Sequence, residues 1–207
     1  MLFIRNLIIK ANTKNLLKIP ELNLEYPERI LVFGRNSSGK SILLETLNSD
    51  YRNYEGKIEF KVKKSLFQQK ETKPKIKMIN NNCQLDIHKP IFTNFTAKFG
   101  TIDKKMKNKI NSILSFFNYS KPETTIISTL SNSQKKLIEL IIVILSNPHI
   151  ILFDDIDNYF DKLNLRRILN FIKTEVDNNF IFLATAKEKI DNFDRIYRIQ
   201  NKEVVKI

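Results

Sequence analysis

Gly34-Arg35-Asn36-Ser37-Ser38-Gly39-Lys40-Ser41 is the stretch from which the rest of this chain is best interpreted. It matches the phosphate-binding pattern G-x-x-x-x-G-K-[ST] at every fixed position. The apolar run Ile30–Phe33 precedes the stretch and Ile42–Leu47 follows it. This order predicts a buried strand, a glycine loop and a helix, which is the context that the pattern requires.

Each fixed position of the loop has a chemical reason. Glycines at 34 and 39 allow a sharp turn and close approach to backbone N–H groups, and the following helix directs its dipole at phosphate. The Lys40 ammonium can bind the β- and γ-phosphates, and the Ser41 hydroxyl can coordinate Mg²⁺. Two of the four glycines in the chain lie here, which argues against a chance turn. The predicted nucleotide-binding residues are Gly34, Arg35, Asn36, Ser37, Ser38, Gly39, Lys40, Ser41 and Ile42.

Composition limits the class of protein. A length of 207 residues suffices for one core with room for a subdomain, and 42% apolar residues exclude a disordered chain. The net charge of +13 would suit an acidic partner such as nucleic acid or anionic lipid. However, abundant Lys, Asn, Ile and Phe are what AT-rich coding produces, and no window interleaves aromatic and basic residues. We therefore disfavour nucleic acid as a partner.

The cysteine and histidine contents and the lengths of the apolar runs argue against further classes of protein. A single cysteine, Cys83, rules out a disulfide framework and fits a reducing compartment. Two isolated histidines, His88 and His149, do not indicate a metal site. No run of eighteen apolar residues occurs, and the N-terminus lacks a signal-peptide pattern. We expect neither a transmembrane segment nor a cleaved leader.

Strand and helix patterns alternate along the chain. Residues 1–33 read as strands, and Leu22–Tyr26 alternates like a half-exposed antiparallel strand. Apolar residues at helical spacing predict a helix over Lys104–Asn118. This helix lies in a segment from about 80 to 128 whose residue pattern differs from that of the rest of the chain. The pattern predicts an α/β fold with a mostly parallel sheet, N-terminal antiparallel strands and an inserted helical subdomain. Residues 63–75 are predicted to form a surface connection.

A second motif follows the apolar strand Ile150–Phe153, where Asp154 and Asp155 are adjacent. Downstream of a phosphate loop, this arrangement is typical of the second half of a P-loop NTPase site. Asp154 would hold Mg²⁺ through water opposite Ser41, and Asp155 would be the carboxylate nearest the attacking water. The alternative is two acidic residues that open a surface loop.

With these motifs in order, the chain resembles the ATP-binding subunit of ATP-binding-cassette (ABC) transporters over nearly its whole length. The family signature L-S-G-G-Q precedes an apolar helix, and here Leu130, Ser131 and Gln134 match it while Asn132 and Ser133 depart from it. The resemblance implies an ABC-type P-loop NTPase core formed by 1–79 and 137–207, a helical and signature subdomain at 80–136, and ATP with Mg²⁺ as ligands.

The resemblance also assigns further residues. The run 154–161 aligns with the family's D-E-P-T-S-A-L-D, so Asp161 matches its D-loop aspartate and Asp155 its catalytic base. Gln84 is identified as the Q-loop glutamine, with a part in catalysis and in the Mg²⁺ site. Ala186 occupies the position of the H-loop histidine.

Several of these positions depart from the family pattern. Asn132 and Ser133 add bulk where glycines approach nucleotide, and Asp155 is one methylene shorter than glutamate. The methyl group of Ala186 cannot replace a histidine, and Lys10–Thr13 lacks the aromatic that stacks on adenine in many members. These departures predict Mg-ATP binding with inefficient hydrolysis by a homodimer.

The resemblance implies a subunit that dimerises around Mg-ATP with an identical or paralogous ABC subunit and drives a separate membrane permease. It would lie on the inner face of a membrane, cytoplasmic or mitochondrial matrix. The chain length is similar to that of the small haem-exporter ATPase of cytochrome c maturation, and the composition would suit an organelle or endosymbiont. An exposed apolar groove near Phe92, Phe95 and Phe99 could dock a coupling helix, unless these rings are core.

Two alternatives remain open at this point. A degenerate ABC subunit would bind nucleotide, hydrolyse it poorly and act as a structural or regulatory component. A nucleic-acid or ribosome-associated ABC protein would usually carry two cassettes in one chain, whereas this chain has one.

Overall fold

The computed structural model describes residues 1–61, 74–119, 121–174 and 180–207, so most of the predicted surface connection at 63–75 lies outside the described residues. The strands are β1 (Leu2–Ala11), β2 (Lys14–Leu24), β3 (Glu28–Phe33), β4 (Tyr54–Phe60), β5 (Ile76–Ile79), β6 (Ile150–Phe153), β7 (Ile181–Ala186), β8 (Arg195–Gln200) and β9 (Glu203–Lys206). The α-helices are α1 (Lys40–Leu47), α2 (Ile91–Phe99), α3 (Lys104–Phe116), α4 (Asn132–Leu145) and α5 (Lys162–Thr174). In the described part of the chain, no helix combines the length and apolarity needed to cross a membrane.

The described strands form one sheet in the order β4-β1-β2-β9-β8-β3-β7-β6-β5. The five strands from β8 to β5 are parallel, while β1 pairs antiparallel with both β2 and β4. Strand β9 joins the two halves, since it runs antiparallel to β8 and parallel to β2. The predicted α/β fold, with a parallel core and N-terminal antiparallel strands, is confirmed.

Burial explains why some strands have continuous apolar sequences while others alternate between apolar and polar residues. All residues of β6 and β7 are buried, as expected for central parallel strands, and their sequences are correspondingly apolar. In β1 and β2, buried leucines and isoleucines alternate with more exposed residues over much of each strand. These two strands therefore expose one side and bury the other.

The chain divides into two compact units. Residues 1–80 and 148–207 form the first, which contains the sheet, α1 and α5. Residues 81–147 form the second, which contains α2, α3 and α4.

The three phenylalanine side chains of α2 differ in how far they are exposed. Phe95 is fully buried, whereas Phe92 and Phe99 are half-buried. The expectation of an exposed groove that includes all three rings is therefore wrong for Phe95, which belongs to the core of this unit. Spacing on α2 explains this, because Phe95 and Ile91 are four residues apart and share its buried face.

Helix α4 begins with a capping box and contains a buried ion pair. Ser131 Oγ accepts a hydrogen bond from Gln134 N, and Gln134 Oε1 accepts one from Ser131 N. Lys136 and Glu139, three residues apart on α4, are 4% and 3% exposed. Lys136 Nζ donates to Glu139 Oε2 at 2.7 Å. Burial raises the pKa of the Glu139 carboxyl, against the lowering effect of the Lys136 ammonium.

This pair also ties α4 to the segment before α2. Lys136 Nζ donates to the Asn82 carbonyl at 3.1 Å, and Gln84 N donates to Glu139 Oε1 at 3.4 Å. The backbone around Gln84 is thus held by two charged side chains of the helix that follows the predicted signature.

We predict that Lys136→Met destabilises the protein by about 3–5 kcal/mol, because it leaves the Glu139 carboxylate buried without its cation. Lys136→Met/Glu139→Leu should recover most of that loss, since removing both charges removes the desolvation cost as well. Urea unfolding of the single and double variants measures both effects. Lys135→Met, the same change one residue earlier, is the matched control, and equal losses at 135 and 136 would contradict the prediction.

Candidate nucleotide-binding site

The candidate site lies where parallel strands of the first unit end. Register pairs Phe33 of β3 with Ala186 of β7, and Phe153 of β6 with Ala184. Parallel strands end at the same edge of a sheet, so the segments that follow β3, β6 and β7 converge there. Gly34 N donates to the Ala186 carbonyl at 3.1 Å, which fixes the start of the loop against the end of β7.

The conformation and packing of the loop favour glycine at its two fixed positions. Gly39 has a φ of 105°, and α1 begins at the next residue. A Cβ at Gly34 would lie 2.9 Å from Ser38 Oγ and 3.1 Å from Ile199 Cβ. The loop therefore turns tightly and directs the N-terminus of α1 at the space it encloses, as a phosphate site requires.

The Lys40 ammonium is held inside this turn. The side chain is 5% exposed, and Nζ donates to the carbonyls of Gly34 at 3.1 Å and Arg35 at 3.2 Å. Nζ also lies 3.6 Å from Asp155 Oδ1. A buried cation with these oxygens around it is positioned for an anionic ligand in the same loop.

A threonine that sequence reasoning did not select connects the two aspartates. Thr185 Oγ1 donates to Asp154 Oδ1 at 2.6 Å and accepts from Asp155 N at 2.8 Å. Thr185 is fully buried, so its hydroxyl has no access to water in place of these partners. A lone hydroxyl in the otherwise apolar strand Ile181–Ala186 was the signal that could have identified it.

Asp155 has an unusual backbone and a perturbed carboxyl group. Its φ of 46° and ψ of 56° are left-handed, an uncommon conformation for a residue other than glycine. Burial raises the pKa of its carboxyl, the neighbouring Asp154 charge raises it further, and the Lys40 ammonium opposes both effects. The neutral form is therefore favoured more than in a free aspartate.

These groups line a cavity of about 860 Å³, a size typical of small-ligand sites. Its lining consists of Leu16, Phe33, the loop Gly34–Ile42, Asp155, Asn158, Lys187 and the hairpin residues Arg198–Lys202. Ser38 Oγ and Asp155 Oδ1 are buried and make no hydrogen bond within the described structure. Unsatisfied polar atoms beside a buried ammonium fit a ligand that carries phosphates and Mg²⁺.

The metal would depend on that ligand. Among the described residues, no group of three or more His, Cys, Asp or Glu side chains could hold a metal ion unaided. Mg²⁺ is commonly bound through one or two protein oxygens together with phosphate oxygens and water. Ser41 and Asp154, which follow β3 and β6 respectively, would supply the protein oxygens.

The other predicted site residues have varied surroundings. Asp161 Oδ1 accepts from Asn164 N at 2.8 Å, as a residue at the start of a helix does. Ala186 is fully buried, so its methyl group cannot reach a ligand. Gln84 and the run Leu130–Gln134 belong to the second unit, whereas the loop, Asp154, Asp155 and Ala186 lie in the first.

Comparison with known proteins identifies the same family as the sequence motifs do. The model of the family described as "ABC transporter" matches residues 17–158. The chain is similar to the "probable ABC transporter ATP-binding protein p29" of Mesomycoplasma hyorhinis, with 27% identity covering 97% of this chain and 88% of that protein. It is also similar to the energy-coupling factor transporter ATP-binding protein EcfA1 of Mycoplasmopsis pulmonis, with 25% identity, 92% of this chain and 75% of that protein.

A solved structure shares the fold. The cbiO1 protein of Clostridium perfringens, described as part of the ABC transporter complex cbiONQ, superposes with a TM-score of 0.78. The match has 16% sequence identity and covers 99% of this chain and 86% of that one.

We predict that Thr185→Val lowers the free energy of unfolding by about 1–3 kcal/mol, because it leaves a buried N–H and a buried carboxylate oxygen without their shared partner. It should also weaken Mg-ATP binding, since the two aspartates lose their common support. Urea unfolding and nucleotide titration measure these effects.

Thr185→Ser keeps the hydroxyl and should bind nucleotide like the unaltered protein. Thr46→Val is the control, because the Thr46 hydroxyl donates only to the Ile42 carbonyl within α1. If Thr185→Val and Thr46→Val bind nucleotide equally well, the connecting role of Thr185 is wrong.

Proposed function

Because this chain belongs to the ABC transporter family of ATP-binding subunits, we propose that it binds Mg-ATP in the loop Gly34–Ser41 and couples ATP binding and hydrolysis to a separate membrane permease. ABC ATPases use Mg-ATP and act with membrane permease components. The observation that carries the proposal is the buried Lys40 ammonium, which lies 3.6 Å from Asp155 Oδ1 in a cavity built by the loop.

The roles of the residues follow from their positions. Lys40 would neutralise charge on the β- and γ-phosphates, and the free N–H groups at the start of α1 would bind phosphate oxygens. Ser41 and Asp154 would hold Mg²⁺, with Asp154 acting through water. Asp155 would orient the attacking water and accept its proton. The Thr185 hydroxyl would hold the Asp154 carboxylate and the Asp155 backbone in place.

Dimerisation is part of the proposal. Two ABC subunits would enclose Mg-ATP, with the signature Leu130–Gln134 of one facing the phosphate loop of the other. Asp161 would contribute the D-loop contact, and Gln84, as the Q-loop glutamine, would take part in catalysis and in the Mg²⁺ site. In this scheme 1–79 and 137–207 serve as the nucleotide-binding core and 80–136 as the helical and signature subdomain.

A degenerate subunit is the second candidate, and specific observations favour it. The buried Ala186 offers no side chain to nucleotide, and Asp155 places its carboxylate one methylene closer to the backbone than glutamate would. Asn132 and Ser133 replace the signature glycines. Such a subunit would bind Mg-ATP, hydrolyse it slowly and serve as a structural or regulatory component.

The transported substrate is set by the permease rather than by this chain. Export of haem during cytochrome c maturation, with the subunit on the mitochondrial matrix face, is a finer hypothesis motivated by chain length and composition. The energy-coupling factor and cbiONQ relatives described above instead belong to other transporters. Attachment to the inner face of a membrane through the permease is common to all of these possibilities.

The deciding experiment is ATP turnover by the membrane assembly purified through this subunit. Lys40→Ala should abolish most of the turnover, because it removes the buried cation of the phosphate site. Lys57→Ala removes the same charge from exposed strand β4 and is the control. Turnover lost at 40 and kept at 57 supports an active subunit, whereas Mg-ATP binding without turnover in the unaltered assembly supports the degenerate one.

We predict that Asp155→Glu raises turnover on the order of 10- to 100-fold, because a misplacement of about 1 Å can cost that much in rate. Asp155→Asn should reduce turnover below the unaltered level, since an amide cannot accept the proton. Single-turnover phosphate release by the same assembly measures both. Slower release by Asp155→Glu than by the unaltered protein would show that the shorter side chain suits this site.

A further inference from the structure

The cavity has two differently charged sides because of the order of strands. The loop leaves β3, which lies between β7 and β8 in the sheet. Asp155 and Lys187 follow β6 and β7 and line one side, while Arg198 and Lys202 from the β8–β9 hairpin line the other. The position of Lys40 Nζ, 3.6 Å from Asp155, marks the first side as the one nearest the terminal phosphate of a bound nucleotide.

Resting on the proposed function, we propose that Lys187 is a second phosphate-binding cation, which contacts the terminal phosphate and makes the site prefer a nucleoside triphosphate over a diphosphate. Lys40 has a different role, because its ammonium can also contact the β-phosphate, which both nucleotides carry.

The backbone of Lys187 is fixed at the cavity from both directions. Lys187 N donates to Asp157 Oδ2 at 2.8 Å. The residue before it, Ala186, accepts from Gly34 N at 3.1 Å, so the segment is bonded both to the phosphate loop and to the turn after the aspartates. A side chain that starts from a fixed backbone loses less entropy when it binds a ligand.

The Lys187 ammonium remains available for a ligand. In the described part of the chain, no carboxylate forms an ion pair with it, and its side chain is exposed. It lines the same cavity as Asp155, so its charge lies at this end of the site. By contrast, Lys40 is engaged by two carbonyls, and the buried Ala186 has no group to offer.

Electrostatic reasoning gives the expected selectivity. A terminal phosphate next to Asp155 would place negative charge beside a carboxylate, which is unfavourable unless cations lie close by. Lys40 and Mg²⁺ supply charge from the loop side, and Lys187 supplies it from the β7 side. A diphosphate leaves that end of the cavity without an anion, so it would gain little from Lys187.

The test compares the affinities of this chain for a non-hydrolysable ATP analogue with a β,γ-imido link and for ADP, both with Mg²⁺, by titration calorimetry. Lys187→Ala should weaken analogue binding by about tenfold or more, as expected for the loss of one charge-assisted hydrogen bond, and change ADP binding by only about twofold. Lys187→Arg should restore the preference for the analogue because it keeps the charge.

Lys189→Ala is the matched control, since Lys189 is exposed on the same segment but does not line the cavity. If Lys187→Ala weakens both nucleotides equally, or neither, the inference is overturned while the proposed function stands. If the unaltered chain binds neither nucleotide, or if Lys40→Ala binds both as well as the unaltered chain does, the proposed function fails and the inference fails with it.

Discussion

The parallel register of β3, β7 and β6 is the constraint on which the rest of the site depends. These strands end at one edge of the sheet because Phe33 pairs with Ala186 and Phe153 with Ala184. The bond from Gly34 N to the Ala186 carbonyl extends that register by one residue into the loop. A slip of one residue would shift the ends of these strands relative to one another and would separate Lys40 from Asp155.

Two of the buried polar atoms that lack a hydrogen-bond partner in the described part of the chain, Ser38 Oγ and Asp155 Oδ1, belong to residues that line the candidate site. Thr185 satisfies Asp154 and the Asp155 backbone, and two carbonyls satisfy Lys40. The Asp155 carboxylate oxygen that remains without a hydrogen bond faces the same ammonium at 3.6 Å. Desolvation of such groups has a cost, so the protein gives up stability here for a site that an anionic ligand with its metal would complete.

The two compact units each contain part of the predicted machinery. In the first, the phosphate loop encloses the buried Lys40 ammonium, while Ala186, at the position predicted for an H-loop histidine, is fully buried. In the second, a buried pair of Lys136 and Glu139 holds the backbone near Gln84 to the helix that follows the signature. The phosphate loop matches its pattern at every fixed position, whereas Asp155 and Ala186 depart from the residues expected from the family resemblance, so nucleotide affinity and turnover need to be considered separately.

The sequence by itself determined the α/β fold, the phosphate loop and the family, because these depend on local patterns: apolar runs, glycine positions and motif spacing. The apolar spacing also predicted α3 with the correct first residue and an error of two residues at its C-terminal end. The tertiary structure alone decided that Thr185 joins the two aspartates and that Lys187 lines the cavity. These facts depend on pairing between segments distant in the chain, and no local pattern of residues records which strands will become neighbours.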